Sequence, residues 1–205
     1  MEWYEAEVQA LERSLRQRAL PVDPVVFYGS STIRLWENLA QDLADPRALN
    51  LGFGGSTLEA CAYFFERLIS PVKPPSLVLY AGDNDLGDGR KPKDVLSFFR
   101  ALAAKVDRDL GSIEVAFISV KPSPARFDLM NRIRKTNRLI QDDLAARPNY
   151  YFINVFDAML DREGRPQPEL FTEDGLHMSP AGYALWTKLL SPYRARIFPS
   201  NFHSH

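Results

Sequence analysis

The sequence predicts an α/β protein in which a doubly wound, five-stranded parallel sheet lies between two layers of helix, a three-layer α/β/α arrangement. Three observations carry this reading. Short apolar runs alternate strictly with longer segments of helical spacing. The short runs are apolar at nearly every position, as strands buried on both faces are. Glycine-bearing polar segments follow the runs, at the sheet edge where open parallel sheets bind ligands.

Taken in order, Trp3, Val8, Leu11 and Leu15 are spaced as an amphipathic helix within residues 1–18, packed outside the sheet. The first strand is Val25-Val26-Phe27-Tyr28, and Ile33, Trp36, Leu39 and Leu43 then predict one helix. The second strand, Ala48-Leu49-Asn50-Leu51, leads to a helix through Leu58, Cys61, Phe65 and Leu68, opened by Ser56-Thr57-Leu58-Glu59 as a capping box. The third strand, Leu77-Val78-Leu79-Tyr80, precedes a helix marked by Val95, Phe98, Phe99 and Leu102. Val115-Ala116-Phe117-Ile118 is the fourth strand, followed by a helix marked by Leu129, Ile133, Ile140 and Leu144. Residues 151–155 form the fifth, and Ser179-Pro180 caps a last helix through Tyr183, Trp186, Leu189 and Leu190. No linker or repeat divides residues 1–200, read as one domain of flavodoxin-like type, with 201–205 as a frayed tail.

Composition narrows the function. Lys+Arg 25 against Asp+Glu 26 leaves no basic field for nucleic acid or an anionic membrane. The acidic start Met1-Glu2-Trp3-Tyr4-Glu5 is unlike a secretory leader, and no run reaches the ~20 apolar residues of a membrane span, so a cytoplasmic location is expected. One cysteine permits no internal disulfide, and Cys61 falls on an apolar helical face as a buried thiol.

The polar residues after the strands suggest acyl chemistry. A serine hydroxyl needs an imidazole to take its proton, and the imidazole needs an anion to fix its tautomer. His203 and His205 lie in the tail, which leaves His177 in Asp174-Gly175-Leu176-His177. Gly29-Ser30-Ser31, Gly52-Phe53-Gly54-Gly55-Ser56 and Gly82-Asp83-Asn84-Asp85 follow the first three strands. Read alone, the serines could cap a helix, and the glycines and Asn84 could serve turns. With one cysteine on an apolar face and no second histidine nearby, a metal site is not expected.

Those four blocks, in that order, resemble the SGNH hydrolases, also called GDSL esterases and lipases. The resemblance spans most of the chain. It implies a serine esterase without a cofactor, acting on a small-molecule ester. It implies Ser31 as nucleophile, His177 as base and Asp174, three residues before it, as the orienting acid in preference to Glu173. Ser31 N–H, Gly55 N–H and the Asn84 side chain would form the oxyanion hole. Ser30 stands where the family usually has Asp. Ser30, Asp85, Leu86, Arg126, Phe127 and Met178 are further candidates for the substrate pocket. An acyltransferase using the same residues, and a non-catalytic phosphate- or nucleotide-binding module built on residues 52–56, are the alternatives; the oligomeric state is left open.

Overall fold

A computed structural model describes residues 1–199; His203 and His205 lie outside them. Five parallel strands, β1 (Val25–Gly29), β2 (Ala48–Gly52), β3 (Ser76–Tyr80), β4 (Glu114–Ile118) and β5 (Tyr150–Ile153), form one sheet in the order β2-β1-β3-β4-β5. The order reverses beside β1, so the loops after β1, β2 and β3 open onto one crevice.

Alternate side chains of these buried strands feed two cores. Val26, Tyr28, Leu77, Leu79, Val115 and Phe117 meet helices α1 (Glu5–Gln17), α4 (Leu58–Leu68), α6 (Pro92–Leu110) and α7 (Met130–Leu144). Val25, Phe27, Val78, Tyr80 and Ile118 meet α2 (Ser31–Arg34), α3 (Leu39–Asp42), α8 (Pro180–Leu190) and α9 (Arg194–Ile197). A further short helix, α5 (Asp83–Gly87), follows β3. Cys61 is buried in the first core. Among the described residues no helix is long and apolar enough to cross a membrane.

Local expectations needed correction at several points. The single helix expected across Ile33–Leu43 is two four-residue helices, α2 and α3. Between them the Asn50 side-chain amide takes the carbonyls of Ile33 (2.6 Å) and Trp36 (3.3 Å), which a continuous helix would have used internally. At α4 the cap is Thr57, whose hydroxyl accepts Ala60 N–H at 3.0 Å, and Ser56 instead accepts the Cys61 thiol weakly at 3.8 Å. Finally, β5 ends at Ile153, because the Ser119 hydroxyl collects the N–H groups of Val155 and Phe156 and draws the chain out of the sheet.

Helix α1 lies against α4 with Val8 buried, and Arg67 of α4 clasps Glu5 and Glu12. Trp3 is not on its apolar face: it sits in a short 3-10 turn ahead of α1 and is 87% exposed.

Candidate active site

The site is built outward from the end of β1. Gly29 has φ +147°, and a Cβ there would stand 1.7 Å from the carbonyl oxygen of Tyr80, so only glycine lets β1 run this close to β3. The close approach lets Ser30 N–H donate to Tyr80 C=O (2.9 Å) while Gly29 C=O accepts Phe53 N–H (2.9 Å). One dipeptide thereby holds the loops after β1, β2 and β3 in register.

Ser31 opens α2, and Nε2 of His177 stands 3.1 Å from its Oγ. On the far side of the ring, His177 Nδ1 meets Asp174 Oδ2 at 2.5 Å. Oδ1 of Asp174 accepts the N–H groups of Leu176 (2.8 Å) and His177 (2.9 Å) and the Thr172 hydroxyl (2.9 Å). Burial acts to raise the pKa of this carboxyl, but the N–H groups of His177 and Leu176, the imidazole and Thr172 outweigh it and hold it well below the usual carboxylate range. An ionised carboxylate only accepts, so Nδ1 carries the hydrogen and, in the neutral ring, the Nε2 lone pair faces Ser31. Glu173 is exposed.

Asn84, in α5, accepts from Arg126 Nη2 through Oδ1 (2.8 Å) and donates from Nδ2 to Ser56 C=O (3.1 Å). Because arginine can only donate, this contact fixes which end of the amide is nitrogen, leaving a second Nδ2 hydrogen free. Among the described residues the amides of Ser31 and Gly55 donate to no protein acceptor. Gly55 has φ +66°, and a Cβ there would meet nothing closer than Trp3 Nε1 at 4.0 Å.

The segment after β4 braces both halves of this constellation. Lys121, fully buried, donates to Leu176 C=O (2.8 Å), and Ala125 N–H donates to Gly175 C=O (3.0 Å), so the turn bearing His177 is held from below. Asp83 lies between the cations, 3.2 Å from Arg126 and 3.6 Å from Lys121. Burial, with help from the Arg126 charge, lowers the Lys121 pKa, while Asp83 opposes them.

A groove of about 460 Å³ runs over Ser31, Gly54, Gly55, Asn84, Leu176 and His177, and its other wall is the N-terminal segment: Trp3, Tyr4, Ala6, Glu7, with Arg34 from α2. The six further pocket candidates lie elsewhere. Ser30 is fully buried with its hydroxyl unpartnered and caps nothing. Asp85 is buried, accepting Leu58 N–H at the start of α4 (2.9 Å). Leu86 and Met178 belong to the two cores, Arg126 sits behind Asn84, and Phe127 is 52% exposed away from the groove lining. Trp3, Tyr4, Glu7 and Arg34 escaped the sequence reading because their contacts with the loop after β2 span tens of residues. No local signal marked them, since Trp3 read as part of the first helix's apolar stripe.

Comparison with known proteins bears on the family and the fold. Residues 22–185 match the model of the GDSL-like lipase/acylhydrolase family. Among solved structures, a candidate platelet activating factor of Streptococcus pneumonia has TM-score 0.79 at 24% identity, covering 93% of this chain and 92% of its own. A candidate acylhydrolase of Bacteroides fragilis has TM-score 0.79 at 19% identity (90% and 93%). A GDSL-like lipase of Bacteroides thetaiotaomicron has TM-score 0.76 at 22% identity (91% and 96%). No curated protein matches the chain. With a match over most of its length, the chain belongs to the GDSL-like lipase/acylhydrolase family.

Proposed function

We propose that the protein is a serine esterase hydrolysing a carboxylic ester through Ser31, His177 and Asp174. The observation that carries the reading is the unbroken contact from Asp174 through the ring of His177 to Ser31 Oγ, at 2.5 and 3.1 Å. Ser31 Oγ attacks the acyl carbonyl as its proton passes to His177 Nε2, and Asp174 stabilises the imidazolium through Nδ1. The carbonyl oxygen, now negative, is met by Ser31 N–H, Gly55 N–H and Asn84 Nδ2. The ester C–O bond then breaks, and the leaving alkoxide takes the proton from His177. Water, deprotonated by the same ring, attacks the acyl-enzyme; collapse releases the acid and returns the proton to Ser31.

The phosphate-binding alternative fits less well, because Gly54 N–H, which such a loop would turn toward the anion, is already taken by the Glu7 carboxylate. Acyl transfer uses the same residues and is separated from hydrolysis by its product when alcohols are supplied.

The test is a series of 4-nitrophenyl esters of increasing acyl length. Ser31→Ala abolishes turnover with the fold intact, and Ser30→Ala keeps measurable activity; the reverse ranking overturns the assignment. A fluorophosphonate labels Ser31 in the native enzyme but not in His177→Ala.

A further inference from the structure

We propose that Tyr4 and Glu7 are positioning residues for the oxyanion hole, clamping the Gly54–Gly55 backbone from both sides so that Gly55 N–H faces the groove. The inference rests on the esterase reading and deepens it.

The peptide carrying Gly55 N–H joins two glycines, the residues with the fewest conformational restraints, and within the loop only a long turn bond from Ser56 N–H to Phe53 C=O (3.4 Å) spans it. The structure instead fixes its neighbours. The preceding peptide donates Gly54 N–H to the Glu7 carboxylate, and the following one accepts the Tyr4 hydroxyl at Gly55 C=O (3.2 Å). Between these two fixed planes only the Gly54–Gly55 peptide is left to present its N–H to the groove.

The clamp is itself held. The Tyr4 ring packs edge-on against Phe53 (5.5 Å) and Phe64 (6.2 Å). Glu7 precedes the buried Val8 in α1, and its carboxylate also pairs with Arg34 at 3.7 Å. An element outside the sheet thus reaches over the site and sets a backbone dipole, which is the kind of preorganisation that oxyanion stabilisation needs.

The experiment measures ester hydrolysis and inhibition by an alkylboronic acid, which bonds to the serine oxygen and places a negative oxygen in the hole. Outright loss of one donor costs about 10²–10³ in rate, so Tyr4→Phe with Glu7→Ala is expected to lower kcat by about tenfold or more. Boronate affinity should fall by a similar factor, since the missing interaction belongs to the tetrahedral state. Glu7→Gln, whose carbonyl can still accept Gly54 N–H, should recover most of what Glu7→Ala loses. Glu12→Gln loosens the Arg67 anchor of α1 without touching the loop and should leave kcat unchanged. A double variant with wild-type kcat, a kcat loss without loss of boronate affinity, or an equal loss in Glu12→Gln overturns the clamp. Should the double variant not fold, Tyr4→Phe alone decides, because its ring and packing remain. Activity that survives Ser31→Ala instead overturns the esterase reading; a full-rate clamp variant in a Ser31-dependent enzyme overturns only the clamp.

Discussion

Asp174 and Asp85 are two carboxyls whose surroundings push them in opposite directions. Asp174 is held ionised far into acid, so its hold on the His177 tautomer persists well below neutrality; Asp174→Asn, which presents the wrong partner to Nδ1, should lower kcat about 10³–10⁴-fold with little change in stability. Asp85 is raised to about 6, first by burial and then by Asp83, against the opposing N–H of Leu58. The sign follows from proton counting: between about pH 4 and 6 the unfolded chain releases this proton while the folded chain keeps it, so this group's contribution to stability falls as pH rises and the penalty is complete above 6. Asp85→Asn should therefore gain stability relative to the wild type on going from pH 4 to pH 7.5, on the order of 2 kcal/mol in urea titrations. A difference between the two proteins that is flat with pH would exclude this account. Ser31, Asn84, Asp174 and His177 were legible as a group because each follows a strand in a short signature. Arg126 was legible only as a residue near the right edge, since its grip on Asn84 is a contact across 42 positions.

At the scale of elements, the strands were readable because burial on both faces writes itself into consecutive apolar residues. The α2–α3 break was not, because it depends on one amide from β2. Helical spacing at Ile33, Trp36, Leu39 and Leu43 is genuine, and all four side chains are buried, yet Asn50 takes two of the carbonyls that would have joined them. Asn50→Ala removes both of these hydrogen bonds together with the one that Gly52 N–H makes to Asn50 Oδ1 (3.0 Å), and should cost about 1–3 kcal/mol, measured by denaturant unfolding. The junction of β1 with α2 is less forgiving. Gly29→Ala brings a methyl against Tyr80 C=O and should destabilise by more than about 3 kcal/mol, visible as a large drop in Tm. At α4, Thr57→Ala removes the cap hydrogen bond to Ala60 and should cost about 1 kcal/mol.

Over the whole molecule, strand order explains why the candidate site residues gather where they do. With β1 flanked by β2 and β3, three consecutive strand ends deliver Ser31, Gly55 and Asn84 to one crevice, and the chain returns after β5 to bring His177 across from the other side. The N-terminal helix lies outside this logic. The sequence shows its amphipathic stripe but not that it closes the groove, since the contacts of Tyr4 and Glu7 with the loop after β2 are long-range. One consequence concerns Cys61, packed five residues beyond Ser56, with its carbonyl taken by Tyr28 OH at 2.9 Å. Burial pushes this lone thiol far above its ordinary range, so in the native protein it is shielded from alkylating reagents and almost never a thiolate. Iodoacetamide uptake therefore becomes a clock for breathing of the layer directly beneath the loop after β2, readable by intact mass without adding any foreign reporter.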